Sequence, residues 1–132
     1  MKKRYFLVAA LLIVSILPVF SQSTGGRTVN KTLVEVTMNS YNSMSSYTRT
    51  VRYFSNSATE ANFILNATNG TEEWYICQFN GTYWNVVLED GRTGQKAYGT
   101  ASRAFLSGGR TQWHMAFSAS GQNYYITIIY RD

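Results

Sequence analysis

The chain carries one histidine, His114, one cysteine, Cys77, and seven carboxylates. A histidine acting as general acid or base needs a second titratable group within reach. Glu72, Glu73 and Glu89 are the nearest candidates in the middle of the chain, and Arg110 is close in sequence. One histidine, one glutamate and one arginine suffice for a small secreted hydrolase of ribonuclease-like type, and His114 with Glu73 is the pair that would carry it. The spacing of these residues does not demand that reading, so no catalytic set is assigned, and the hydrolase stands as the alternative function. A single histidine with no cysteine cluster beside it lacks the ligands of a zinc site, so no metal and no cofactor are expected. Cys77 falls on an apolar face next to Trp84 and reads as a small buried hydrophobe. An intermolecular disulfide is the competing use of an odd cysteine in an exported protein.

A second chemistry-bearing group is aromatic. Asn80-Gly81 and Asp90-Gly91 have the composition of two-residue hairpin turns, in which both central residues take positive φ. Tight turns at these positions pair Phe79 with Thr82, Cys77 with Trp84 and Tyr75 with Val86, then Tyr98 with Tyr83 and Lys96 with Asn85. Tyr75, Cys77, Phe79, Trp84, Val86 and Leu88 share one face, which reads as core. The other face collects Trp74, Gln78, Tyr83, Asn85, Lys96 and Tyr98. Flat rings interleaved with amides and an ammonium suit a ligand with apolar faces and hydroxyls, such as a glycan. Aromatic side chains are also preferred anchors for a protein partner. The competing expectation is that a second sheet covers this face, since Ile76 and Val87 lie on it too.

These elements follow an N-terminal segment of a different kind. Lys2, Lys3 and Arg4 precede an apolar run from Phe6 to Leu17, Pro18 breaks it, and Val19-Phe20-Ser21 offers a cleavage site. The run is shorter than the ~20 residues a membrane-spanning helix needs. Residues 1–21 are therefore expected to be a signal peptide and 22–28 a flexible leader, with 29–132 a single β-rich domain that is periplasmic or extracellular. The formal charge of +5 includes Lys2, Lys3 and Arg4. Without them, nine scattered basic residues face seven acidic ones, a balance of +2 that lacks the basic stripe of a nucleic-acid binder. Cys77 is alone and Pro18 is the only proline, so the domain must hold together by packing. Asn30, Asn66, Asn69 and Asn80 each open an Asn-X-Ser/Thr triplet, a glycan acceptor only in a eukaryotic secretory pathway.

Residues 47–54, 61–67, 73–79, 82–89, 92–99, 111–119 and 122–130 read as strands, rich in β-branched and aromatic residues. Ser120-Gly121 closes a hairpin that places Trp113, Met115 and Phe117 opposite Ile128, Ile126 and Tyr124. Its other face holds Gln112, His114, Ala116, Tyr125, Thr127 and Ile129. Between 29 and 47 a helical stripe (Val29, Leu33, Val36, Met44, Tyr47) competes with strand alternation, with the balance toward helix. Thr100–Ser107 reads as a short helix capped by Gly108-Gly109. The expected class is mostly antiparallel β, a sandwich or small barrel built from hairpins, with an N-terminal helix; the alternative is an α+β domain with a helix packed on one antiparallel sheet. A membrane barrel is disfavoured because residues 124–130 are apolar on both faces. Together these features point to an exported, non-enzymatic binding or interaction module for a glycan, a cell-wall component or a protein.

Overall fold

A computed structural model of the protein describes residues 23–132. The expected signal peptide lies outside the described residues. The strands are β1 (Val29–Met38), β2 (Tyr41–Asn42), β3 (Tyr47–Phe54), β4 (Glu60–Ala67), β5 (Glu72–Phe79), β6 (Trp84–Asp90), β7 (Lys96–Leu106), β8 (Arg110–Ala119) and β9 (Gln122–Arg131). They pair antiparallel in the order β2-β1-β3-β4-β5-β6-β7-β8-β9, and β1 also pairs with β9. Eight strands thus close into a barrel, with β2 as a short extra strand against β1. Closure removes the open sheet edges that would otherwise invite pairing with other chains.

Two sequence expectations of helix are corrected. Residues 29–47 form β1, β2 and a single 3-10 turn at Met44–Ser46. The apparent helical spacing there has a β origin: the β1–β9 register shifts between Leu33 and Glu35. A bulge adds one residue, so Leu33 and Val36, three apart, both point inward and are fully buried. Thr100–Ser107 belongs to β7, which runs on to Leu106. Gly108 and Gly109 do adopt positive φ (77° and 70°), but they turn a hairpin and do not cap a helix. The same left-handed conformation serves both purposes, and local sequence does not separate them.

Two turns are also wider than expected. Asn80 and Asp90 do not take positive φ, and neither do Thr82 and Gly91. Asn80 Oδ1 instead accepts the amides of Thr82 and Tyr83, at 3.0 Å each. Asp90 Oδ1 accepts those of Arg92 and Thr93, at 2.8 and 3.1 Å, and these bonds hold its carboxyl below the usual range. Side-chain capping competes here with the tight turn that Asn-Gly and Asp-Gly otherwise favour. Phe79 therefore faces Trp84, Cys77 faces Val86 and Tyr75 faces Leu88. Tyr98 faces Val87 and Lys96 faces Glu89. Ser120 and Gly121 both have positive φ, and that hairpin has the expected register throughout.

The lumen is filled by side chains. Phe63 sits among Tyr75 (stacked, 4.9 Å between centroids), Tyr130 (5.4 Å) and Trp113 (5.8 Å). Trp84 meets Trp113 edge-on at 5.0 Å, and Trp113 Nε1 donates to Tyr130 Oη at 3.1 Å. Cys77 is buried among them, as its place on the core face implied, and burial pushes its thiol well up. The outer wall mixes polar residues such as Asn30, Arg52, Gln78, Asn85, Lys96, Thr100 and His114 with the rings of Trp74, Tyr98 and Tyr125. No helix among the described residues is long and apolar enough to cross a membrane. The expected leader is tied down from Thr24, which exchanges backbone and hydroxyl hydrogen bonds with Ser55.

Gly99 in β7 faces Phe117 on β8. A Cβ there would collide with the Ala116 carbonyl oxygen and lie 2.6 Å from Phe117 Cδ1. Gly99→Ala should cost about 1–3 kcal/mol of stability, the range for overpacking, read as a lower urea midpoint at unchanged m; an unaffected midpoint would show that the wall yields there. Within the lumen, Glu73 accepts Tyr47 Oη at 2.9 and 3.0 Å and Tyr75 Oη at 3.1 Å. Burial raises its carboxyl above the usual range despite these bonds. The unfolded chain then ionises first as pH rises, so the native state loses stability across that window. Glu73→Gln removes this loss, and its stability relative to the native sequence should grow from acid pH to neutrality in urea titrations. A pH-independent difference would contradict the assignment.

Candidate functional site

The outer wall of β5, β6 and β7 carries five of the six residues singled out by the sequence, Trp74, Gln78, Asn85, Lys96 and Tyr98, in an arrangement set by the wider turns. Gln78 faces Asn85, which faces Thr100. Trp74 faces Glu89, which faces Lys96, and Lys96 Nζ lies 3.9 Å from Glu89 Oε1. Tyr98 lies between these two rows, facing Val87. The expected pairing of Tyr98 with Tyr83 is displaced by four residues, about 13 Å along a strand. The expected pairing of Lys96 with Asn85 is displaced equally. Both displacements are even numbers of residues, so each side chain keeps its expected side of the sheet. What changes is which rings are neighbours.

Trp74 is committed to a surface network. Its Nε1 donates to Glu72 Oε1 at 3.1 Å, while Glu72 Oε2 binds Arg52 Nη2 at 2.5 Å. Arg52 Nη2 also reaches Asn66 Oδ1 at 3.1 Å. The bonds from Arg52 and Trp74 hold the Glu72 carboxyl below the usual range. Gly91 packs against the indole, with room for no Cβ beneath Nε1. Trp74 therefore braces the β4–β5–β6 surface.

Tyr83 lies elsewhere. It belongs to the β5–β6 turn and walls a trough of about 360 Å³ on the outside of β7, β8 and β9, whose opposite wall is Tyr125. The floor follows from two cross-strand rows, Thr100–Ala116–Tyr125 and Ser102–His114–Thr127. Ala116 is the small residue between larger neighbours, and it makes the depression. Tyr125 is held from behind: its amide donates to Asn39 Oδ1 at 2.9 Å, and the Asn39 amide donates to its carbonyl at 2.8 Å. Asn39 takes φ 48° to do so at the β1–β2 corner. The two rings are open to solvent, Tyr83 at 45% and Tyr125 at 58%. Tyr98, at 66%, is the most exposed of the expected rings but does not line this trough.

His114 is in the trough with both ring nitrogens engaged. Gln112 Nε2 is 2.9 Å from its Nε2, and Thr127 Oγ1 is 2.9 Å from its Nδ1. An amide nitrogen only donates, so Nε2 accepts and Nδ1–H donates to Thr127. Neither partner is a carboxylate. Glu73 points into the lumen and is occupied by Tyr47 and Tyr75, so the barrel wall stands between it and His114. Glu72 serves Arg52 and Trp74, and Glu89 faces Lys96. The geometry thus assembles no histidine–glutamate pair. It assembles two rings, three hydroxyls and a fixed imidazole over a shallow floor.

Tyr125, Ala116, His114 and Thr127 were legible as one face of the last hairpin. Thr100 and Ser102 were not joined to them, because their segment resembled a helix. Alternation of Ala101 and Arg103 inward with Thr100 and Ser102 outward was the available signal. No group of three or more metal-ligating side chains gathers among the described residues. No family model matches the chain, and neither a curated protein nor a solved structure matches it.

Proposed function

We propose that the protein is an exported, non-enzymatic binding module, and that its ligand is a glycan held in the trough between Tyr83 and Tyr125. Export rests on the basic, apolar and cleavage-site segments of residues 1–21. The observation that carries the ligand assignment is the pairing of two solvent-open tyrosine rings across a floor of Thr100, Ser102, His114, Ala116 and Thr127. Sugar rings present apolar C–H faces and hydroxyl edges. Tyrosines stack on the faces, and the hydroxyls of Thr100, Ser102 and Thr127 meet the edges. Thr127 is held in place by His114, which Gln112 fixes in turn, and this lowers the ordering cost of binding. Gln78, Asn85, Lys96 and Tyr98 lie farther around the same wall and offer further contacts for a long chain. Trp74 supports that surface through Glu72.

A glycan array probed with the purified protein tests this reading, followed by titration of the strongest glycan. Tyr125→Ala and Tyr83→Ala should each weaken binding about tenfold, the scale of one lost aromatic contact, with the far-ultraviolet spectrum unchanged. Ala116→Arg should abolish binding by filling the floor. Wild-type affinity in all three variants would remove the trough from consideration. Binding to no glycan would remove the ligand class.

A further inference from the structure

The lumen holds an arginine with no acidic partner among the described residues. Arg103 lies in β7 between Ala101 and Phe105 and faces Trp113 on β8. Its guanidinium lies over three rings, Trp84 at 4.4 Å, Phe105 at 4.7 Å and Trp113 at 5.5 Å from their centroids. Such stacking uses the face of the cation and leaves its in-plane N–H donors to find acceptors elsewhere. Nη1 is shielded from solvent and has no hydrogen-bond acceptor among the described residues. Burying a charged donor without an acceptor is costly, and native structures seldom leave one so. The other cation facing this end of the lumen, Lys31, is already bound to Asp132 Oδ1 at 2.6 Å. No ion pair among the described residues involves Arg103.

A cavity of about 270 Å³ opens beside it, lined by Ala58, Thr59, Phe79, Trp84 and Arg103. The β3–β4 loop that carries Ala58 and Thr59 is fixed to β5, since the Phe79 amide donates to the Thr59 carbonyl at 2.9 Å. Phe79 and Trp84 form its aromatic wall, with centroids 5.3 Å apart and planes tilted by 44°. Phe79 is 36% exposed despite its place on the core face, so this wall is accessible from the barrel mouth.

We propose that this mouth is a second binding site, distinct from the trough, for a small anion with a flat apolar body, an aryl carboxylate. The carboxylate meets the guanidinium where Arg103 lines the cavity, a charge-assisted contact. The ring lies against Phe79 and Trp84, and Thr59 lines the same space.

Benzoate and its neutral isostere benzamide separate charge recognition from ring stacking. Titrated into the protein, benzoate should change tryptophan fluorescence saturably through Trp84 and raise Tm, with benzamide at least about tenfold weaker, the scale of a charge-assisted bond. Arg103→Gln should erase the difference between the two ligands. Ala58→Phe, a loop substitution that narrows the cavity without altering the lumen, should weaken benzoate and leave the fold intact; it decides the matter if Arg103→Gln does not fold. Equal binding of benzoate and benzamide, no binding of either, or undiminished benzoate affinity in Ala58→Phe would overturn the proposal. A change confined to the stability of Arg103→Gln, with no ligand preference in the wild type, would show that the arginine serves packing alone.

Discussion

The bore of an eight-stranded barrel is the constraint from which the rest follows. Strand number and tilt set its diameter, and at eight strands the interior is just wide enough to be filled by side chains. Here the filling is aromatic: Phe63, Tyr75, Trp84, Trp113 and Tyr130 contact one another through the middle of the lumen. With one cysteine, buried and unpaired, there is no disulfide within the chain to limit its unfolded state. Burial of large rings takes over that stabilising role, each worth about 1.5–3 kcal/mol when fully enclosed. Closure through β1 and β9 is what encloses them.

A packed lumen directs binding to two kinds of place, the outer wall and the mouths. The wall is built from alternating residues, and a depression forms only where a small side chain sits between larger ones, as Ala116 does between Thr100 and Tyr125. The mouths are where inward-pointing residues run out of neighbours. There the ionisable groups collect, with Lys31 and Arg103 at the mouth where β1 begins and β9 ends and Glu73 at the other. Each is handled differently. Lys31 has a carboxylate, Glu73 has two phenols, and Arg103 has only rings. The hydrogen bonds to Glu73 offset part of its burial, whereas the guanidinium edge of Arg103 has no counterpart. This asymmetry makes the two mouths chemically unlike, though the strands between them are the same.

Much of the site was readable before the fold. The last hairpin placed His114, Ala116, Tyr125 and Thr127 on one face, and they are there, because Ser120-Gly121 has the positive φ pair that a two-residue turn requires. The middle hairpins were read with turns that were too tight. Asn80 and Asp90 cap their loops with side-chain oxygens, a choice that composition alone does not distinguish from the tight turn. The resulting slips of two and four residues left the faces intact and moved the rings apart. Tyr83 then found a different partner, Tyr125, from a strand distant in sequence.

Inward or outward direction is a local property: successive residues of a strand alternate, so the sequence alone determined that Tyr75, Cys77, Trp84 and Trp113 turn to the core and that His114 and Tyr125 turn away from it. Neighbourhood is not local. That Val29–Met38 is a bulged strand, that β7 continues through Arg103, and that β1 meets β9 all depend on hydrogen bonds to residues far along the chain. A bulge imitates helical spacing and a glycine pair imitates a helix cap until those partners are present. The tertiary structure therefore decided the closed barrel, the trough between Tyr83 and Tyr125, and the solitary arginine at the mouth.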